Sequence, residues 1–253
     1  MKTKDVDVLL LAAGFGTRLR PLTDSIPKPL LPFCGKCIID WNLELLASAG
    51  FRRVFINLHY LGSLIREHVG TGSAWGLDVH YLEEPVILDT GGAIRNFQEH
   101  MRGEALLVIN ADIVLDRQFP FAQLLNAHKQ ASAEDPVVAT MVLRRDEDSA
   151  DYGQVGMDRQ GVICHFRGHD YLAPCGPLEM LMFTGIHVLS RNVFEYMPPK
   201  GLAFSITRDT YRMVLECGSL IRGFLYNDFW EDLGTIDRLR RAEKVFATSL
   251  NLV

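Results

Sequence analysis

The chain opens with an apolar strand, Val6-Asp7-Val8-Leu9-Leu10-Leu11-Ala12-Ala13, that runs directly into Gly14-Phe15-Gly16-Thr17-Arg18. This junction limits the folds available. An apolar strand feeding a glycine turn reads as the first strand of an α/β sheet, and such sheets bind ligands at the carboxyl ends of their strands. Glycines bring main-chain N–H groups close to a ligand, and successive N–H groups make a concave nest for an anion. Arg18 adds a planar fork of donors, and Lys28, held between Pro27 and Pro29, adds a compact point charge. The arrangement suits a polyphosphate. Two commoner phosphate loops are excluded. Thr17-Arg18 stand where a Walker A loop needs Gly-Lys-Ser/Thr, and Leu19-Arg20-Pro21 stand where a dinucleotide fingerprint needs a third glycine opening a helix.

Strand and helix patterns then alternate, which predicts a mainly parallel sheet with helices on both faces. Strands are expected at residues 54–58, 77–82, 105–109, 137–143, 153–157, 162–166, 180–189 and 220–225. Helices are expected at 38–49, 61–69, 92–101, 207–216 and 236–249. With no repeat or low-complexity linker, one compact unit over 1–253 is expected. Its nucleotide-binding half would cover about 1–135 and its acceptor-binding half about 136–253.

Composition narrows the class of protein. A net charge of −5 gives no basic footprint for nucleic acid. The charged start and the lack of a long apolar run argue against a secretory leader or a membrane span, so a cytoplasmic protein is expected. Five irregularly spaced cysteines, including Cys34-Gly-Lys-Cys37, complete no zinc pattern and read as reduced thiols.

Asp112 closes the apolar run at 105–109, and Asp232 sits in Phe229-Trp230-Glu231-Asp232-Leu233-Gly234-Thr235, directly before a predicted helix. Singly, each reads as a turn or capping residue. Beside a phosphate loop the pair suits Mg²⁺, which takes a couple of carboxylates together with phosphate oxygens and water. Gly91-Gly92, in Leu88-Asp89-Thr90-Gly91-Gly92-Ala93, opens a helix with N–H groups expected to be free and lets a flat ring approach the backbone.

The string from Leu11 to Leu30, with both glycines, Arg18, Pro21-Leu22-Thr23 and Pro27-Lys28-Pro29-Leu30, resembles the N-terminal motif of the sugar-1-phosphate nucleotidyltransferases. Val108-Ile109-Asn110-Ala111-Asp112 resembles that family's metal-binding aspartate segment, and residues 230–235 its W-x-D-[IVL]-G-T segment. The likeness spans about residues 9–240 and is greatest to the compact single-domain branch. That branch includes N-acetylmuramate-1-phosphate uridylyltransferase-like and mannose-1-phosphate guanylyltransferase-like enzymes. The resemblance implies a Rossmann-like three-layer sandwich of the nucleotide-diphospho-sugar transferase type, with a mixed, mainly parallel central sheet and no appended β-helix domain.

It also implies condensation of a nucleoside triphosphate with a sugar 1-phosphate, releasing pyrophosphate, in a monomer or homodimer. Ala13, Gly14, Gly16, Thr17 and Arg18 would hold the triphosphate, Lys28 the reacting α-phosphate, and Asp112 and Asp232 the Mg²⁺. Gly91 and Gly92 would neighbour the nucleoside, and Glu179, Thr184 and Gly185 the sugar. Many relatives carry a Glu-Lys-Pro segment whose lysine binds the acceptor phosphate. Here the comparable stretch, residues 162–170, has no lysine. Arg167 is expected to take its place, assisted by His169, with Arg208 or Lys200 next in line. A nucleotidyltransferase for a non-sugar phosphate such as phosphocholine, and a non-catalytic nucleotide-sugar-binding regulator, remain as alternatives. The base and the sugar are left open.

Overall fold

A computed structural model describes residues 1–146 and 154–249. The chain forms two compact units, each drawn from separated stretches: Met1–Leu9, Leu88–Val108 and Pro120–Asp228 make the first, and Leu10–Ile87, Ile109–Phe119 and Phe229–Val253 the second.

The strands are β1 (Val6–Leu11), β2 (Pro32–Phe33), β3 (Lys36–Cys37), β4 (Arg53–Leu58), β5 (Asp78–Glu83), β6 (Ala105–Asn110) and β7 (Ile113–Leu115). They continue with β8 (Val137–Arg144), β9 (Val155–Met157), β10 (Ile163–Phe166), β11 (His169–Asp170), β12 (Glu179–Ser190), β13 (Leu220–Leu225) and β14 (Trp230–Asp232). The helices are α1 (Ile38–Ser48), α2 (Gly62–Val69), α3 (Asp89–Phe97), α4 (Phe121–Glu134), α5 (Tyr211–Glu216) and α6 (Ile236–Ser249).

The sheet is mixed and flanked by helices. In the first unit the strand order is β11-β10-β9-β12-β6-β1, with β8 also on β12 and β13 on β8. There β12 runs antiparallel to β8 and β9, while β13 is parallel to β8. In the second unit β4 and β5 form a parallel pair in register from Arg53–Asp78 to Leu58–Glu83. Apolar residues on both faces of β6 and β8 are buried, the pattern of strands covered by helices. Among the described residues no helix is long and apolar enough to cross a membrane.

Most expected elements form, with shifted ends. β1 stops at Leu11 rather than Ala13, and α3 starts at Asp89, before the glycine pair. The stretch expected as one helix at 207–216 is a π-helical turn, Ile206–Thr210, followed by α5. The start of the strand expected at 153–157 falls at Gly153, outside the described residues. Several features were not anticipated, the short β11 among them. α4 buries Phe121, Leu124, Leu125 and His128 on one face. β2 and β3 form a small hairpin, and β7 and β14 form a separate antiparallel ribbon. Strands of two or three residues are too short for alternation to show in a sequence.

Candidate active site

The second unit contains the glycine loop. The Ala12 N–H donates to Asn57 Oδ1 (2.7 Å) in β4, and Asn57 Nδ2 donates to Glu84 Oε1 (2.7 Å) just past β5. Asn57 and Glu84 are buried, so this polar chain pins neighbouring strand ends where the chain leaves the sheet. From Ala13 to Arg18, no main-chain N–H donates to an acceptor among the described residues. Six consecutive donors without a partner among the described residues are the raw material of an anion nest.

The two glycines differ. Gly16 has φ 63°, its carbonyl accepts from Thr23 Oγ1 (2.8 Å), and a Cβ there would lie 2.9 Å from Thr23 Cγ2. The protein's own packing therefore demands glycine at 16. A Cβ at Gly14 would meet nothing within 4 Å, so that space is open to a ligand.

Lys28 begins a tight turn, Lys28–Leu30, and is buried. Its Nζ pairs with Asp112 Oδ2 and lies 3.5 Å from Asp232 Oδ1. Asp112 occupies the turn between β6 and β7, and Asp232 closes β14 opposite Ile113 of β7. The Leu233 N–H donates to the Asp112 carbonyl (3.0 Å), and Asn42 Nδ2 of α1 donates to the Ile113 carbonyl (2.9 Å). The β7–β14 ribbon is thus what brings the two aspartates together from positions 120 residues apart in sequence.

Two more groups complete this cluster. A Cβ on Gly234 would come within 2.8 Å of Arg18 Nη2 and 2.9 Å of Asp232 Oδ1, so Gly234 is what allows that guanidinium and that carboxylate to lie together. Arg238 Nη1 of α6 lies 3.7 Å from Asp232 Oδ2. Burial, and then the neighbouring Asp112 carboxylate, hold the Asp232 carboxyl above its ordinary range, while Lys28 and Arg18 pull it back. Asp232 Oδ1 is buried without a hydrogen-bond partner among the described residues. A buried carboxylate oxygen without a donor, next to a second carboxylate, fits a small hard divalent cation.

Beneath the cluster, Leu19, Leu31, Phe33, Ile38, Trp41, Val114, Leu233, Ala242 and Phe246 pack as one core. It draws from every segment bearing a charged member of the site, which fixes their backbones relative to one another.

The first unit holds the other expected residues. Gly91 and Gly92 are not free donors as expected: both N–H groups donate to the Phe204 carbonyl, at 2.9 and 3.2 Å. A Cβ at Gly91 would lie 2.4 Å from the Phe204 ring, and one at Gly92 2.6 Å from the Leu202 carbonyl. The glycine pair therefore seats the segment from Leu202 to Ser205. Nearby, Thr90 Oγ1 accepts from the Ile206 N–H (3.0 Å), and Arg208 pairs with Asp89 (2.7 Å).

Arg167 and Gly168 form the tip of the β10–β11 hairpin, with φ 50° and 85°. The Arg167 side chain is exposed and has no ion pair among the described residues. Exposed His169 follows at the start of β11. Glu179 opens β12 and pairs with Arg145 (2.5 Å), and Lys200 pairs with Glu99 (2.7 Å). Thr184 is buried with its hydroxyl donated to the Val142 carbonyl (2.8 Å), and Gly185 has φ 81° where the β12–β8 register shifts. The Thr184 hydroxyl thus points into the protein's own sheet.

Gly234, Arg238, Asn57 and Glu84 were not anticipated as site residues. Gly234 lies in the 230–235 segment and Glu84 just ahead of the stretch that holds Gly91-Gly92, but neither was read as a site residue. All five cysteines are free. Ligand atoms of Cys37, Asp40 and His68 lie within 4.8 Å of one another, although Asp40 is already engaged by the Cys37 N–H (3.0 Å) and by His68 (2.7 Å).

An α/β unit that sets unpaired amides, cations and two carboxylates at a strand end has the chemistry of a polyphosphate- and cation-binding enzyme. The chain belongs to the nucleotidyl transferase family, whose sequence pattern it matches over residues 7–249. It is 44% identical over 239 residues to the N-acetylmuramate alpha-1-phosphate uridylyltransferase of Neisseria meningitidis, covering 93% of this chain and 96% of that protein. It is 33% identical over 236 residues to the mannose-1-phosphate guanylyltransferase of Mycobacterium tuberculosis, covering 93% of this chain. The chain spans 63% of the length of that M. tuberculosis relative and 60% of a UTP–glucose-1-phosphate uridylyltransferase from Synechocystis.

The fold is that of HddC from Yersinia pseudotuberculosis, solved with GMP-PN, at TM-score 0.73 and 23% identity over 95% of this chain and 99% of that one. It is also that of a putative glucose-1-phosphate thymidylyltransferase from Bacillus anthracis, at TM-score 0.74 and 21% identity over 95% and 94% of the two chains.

Proposed function

We propose that this chain condenses a nucleoside triphosphate with a sugar 1-phosphate, giving a nucleoside diphosphate sugar and pyrophosphate. The observation that carries the reading is the run of unpaired main-chain donors from Ala13 to Arg18 beside the Lys28–Asp112–Asp232 cluster. Family membership and the names of the relatives support it.

The reaction is an in-line displacement in which a sugar-phosphate oxygen attacks the α-phosphorus and pyrophosphate departs. The attacking oxygen is already anionic at neutral pH, so no general base is needed. The difficulty is bringing two polyanions together and offsetting the charge of the transition state, which is achieved by positioning and electrostatics. The amides from Ala13 to Arg18 and the Arg18 guanidinium hold the triphosphate, and open space at Gly14 admits it. Lys28 neutralises charge at the α-phosphate. Asp112 and Asp232 would hold Mg²⁺, which when bound supplies positive charge to phosphate oxygens. Arg167, exposed and without an ion pair among the described residues, is the candidate for gripping the acceptor phosphate; Arg208 and Lys200 are each already paired with a carboxylate. Glu179, Thr184 and Gly185 belong to the acceptor side of this reading, with Thr184 and Gly185 acting through backbone shape, and Gly91 and Gly92 to the nucleoside side through the segment they seat.

The test is pyrophosphate release over a matrix of nucleoside triphosphates and sugar 1-phosphates. The relatives' names put UTP with N-acetylmuramate 1-phosphate, and GTP with mannose 1-phosphate, first. EDTA is expected to stop release and Mg²⁺ to restore it. Silence across the matrix would refute the reading, and full activity in rigorously metal-free buffer would remove Asp112 and Asp232 from a metal role.

A further inference from the structure

In this chain the pair of carboxylates that suits a divalent ion already has a cation in it. The ammonium of Lys28 contacts Asp112 Oδ2 and lies 3.5 Å from Asp232 Oδ1. It reaches them from a buried position in the short Lys28–Leu30 turn, whose flanking prolines restrict the backbone. It is not the only positive charge nearby, since Arg18 and Arg238 also face Asp232. Two carboxylates with three basic side chains leave no net negative charge to attract a free divalent ion, and the nearest of those bases stands against both acids. Yet the site is not saturated. Asp232 Oδ1 has no well-formed hydrogen bond among the described residues, with the Lys28 ammonium 3.5 Å away.

We propose that Lys28 is the resident counter-ion of the Asp112–Asp232 pair in the substrate-free chain, so that a divalent ion binds there weakly until incoming phosphate draws the ammonium away. The inference rests on the metal role proposed above and adds an order to it: triphosphate and ion enter together rather than ion first. Its cause is electrostatic. A dication beside an undisplaced ammonium meets repulsion at close range in a poorly solvated pocket. A polyphosphate seated on the amides from Ala13 to Arg18 brings several negative charges. These give Lys28 an alternative partner and raise the attraction for the ion. By linkage the ion must then strengthen triphosphate binding by the same factor.

The experiment is Mn²⁺ binding to the full chain without nucleotide, followed by the electron paramagnetic resonance signal of free Mn²⁺. The wild type is compared with Lys28→Met, which keeps the length of the side chain and removes its charge. Lys28→Met is expected to gain one Mn²⁺ site at least about tenfold tighter than any in the wild type. Adding Asp112→Asn should abolish the gain. Lys28→Gln is read in the same way if circular dichroism shows that the methionine variant misfolds. Equal or weaker Mn²⁺ binding in the charge-free variants overturns the proposal, and so does a gain that survives Asp112→Asn. The two readings can fail separately. Silence in the pyrophosphate assay with a tightened Mn²⁺ site sinks the activity and leaves this inference standing. Turnover without any tightening does the reverse.

Discussion

Gly14 and Gly16 stand two positions apart and face different demands. Gly16 is held at φ 63° against Thr23, so Gly16→Ala should strain the backbone and destabilise the protein by about 1–3 kcal/mol, read as a lowered Tm. Gly14→Ala should melt like the wild type while the KM for nucleoside triphosphate rises, because its Cβ would enter only the ligand's space. A Gly14→Ala protein with wild-type KM would show that no ligand comes near that residue. Lys28→Ala should lower kcat on the order of 10²–10³, the scale for removing one preorganised electrostatic donor. A change confined to KM would make Lys28 a ground-state binding residue. At this scale the sequence pointed to the loop through its glycines after an apolar strand, to Lys28 through its flanking prolines, and to the two aspartates through segments that resemble the family's; the fold brings Lys28, Asp112 and Asp232 together. Arg238 cannot be derived from its own surroundings, and the 230–235 segment marks Gly234 without showing why, since the significance of both lies in what they touch across the fold.

Among the elements, short and buried features were the ones that sequence patterns hid. β7 and β14 have three residues each, too few to display a period, yet they carry Asp112 and Asp232 to one place. The Gly91-Gly92 pair was legible as a helix start, but the partner of its N–H groups, the Phe204 carbonyl, comes from more than a hundred residues downstream. α4 contributes a buried polar tie of its own. His128 Nδ1 lies 2.9 Å from Thr140 Oγ1 of β8, and its Nε2 3.1 Å from Ser190 Oγ of β12. Burial lowers the His128 pKa from 6.5 to about 4, and that of His187, bonded to the Tyr211 hydroxyl, to about 3. Both are neutral in the fold and gain a proton on unfolding below about pH 6.5. Their stabilising effect is therefore complete above that pH and declines as pH falls toward the folded values. Each should cost about 2 kcal/mol of stability between pH 7 and pH 5. Urea unfolding at the two pH values tests this, and His128→Gln should remove one histidine's share of the decline. An undiminished decline in that variant would assign the pH dependence to other groups.

Across the whole molecule, the α/β class was legible because long apolar strands and amphipathic helices alternate along the chain. The division into two units was not, because each is assembled from segments that are remote in sequence, and β1 and β6 contribute to both. Family membership rests on a match over residues 7–249 and on relatives such as the N. meningitidis enzyme at 44% identity. The central claim concerns which phosphorus is attacked. It is tested most directly with nucleoside triphosphate labelled at the α-phosphorus, incubated with Mg²⁺ and the sugar 1-phosphate that supports pyrophosphate release. The label should appear in a nucleoside diphosphate sugar that forms in equal amount with unlabelled pyrophosphate. Label released as nucleoside monophosphate, or retained in nucleoside diphosphate while the sugar gains a second phosphate, would contradict the account.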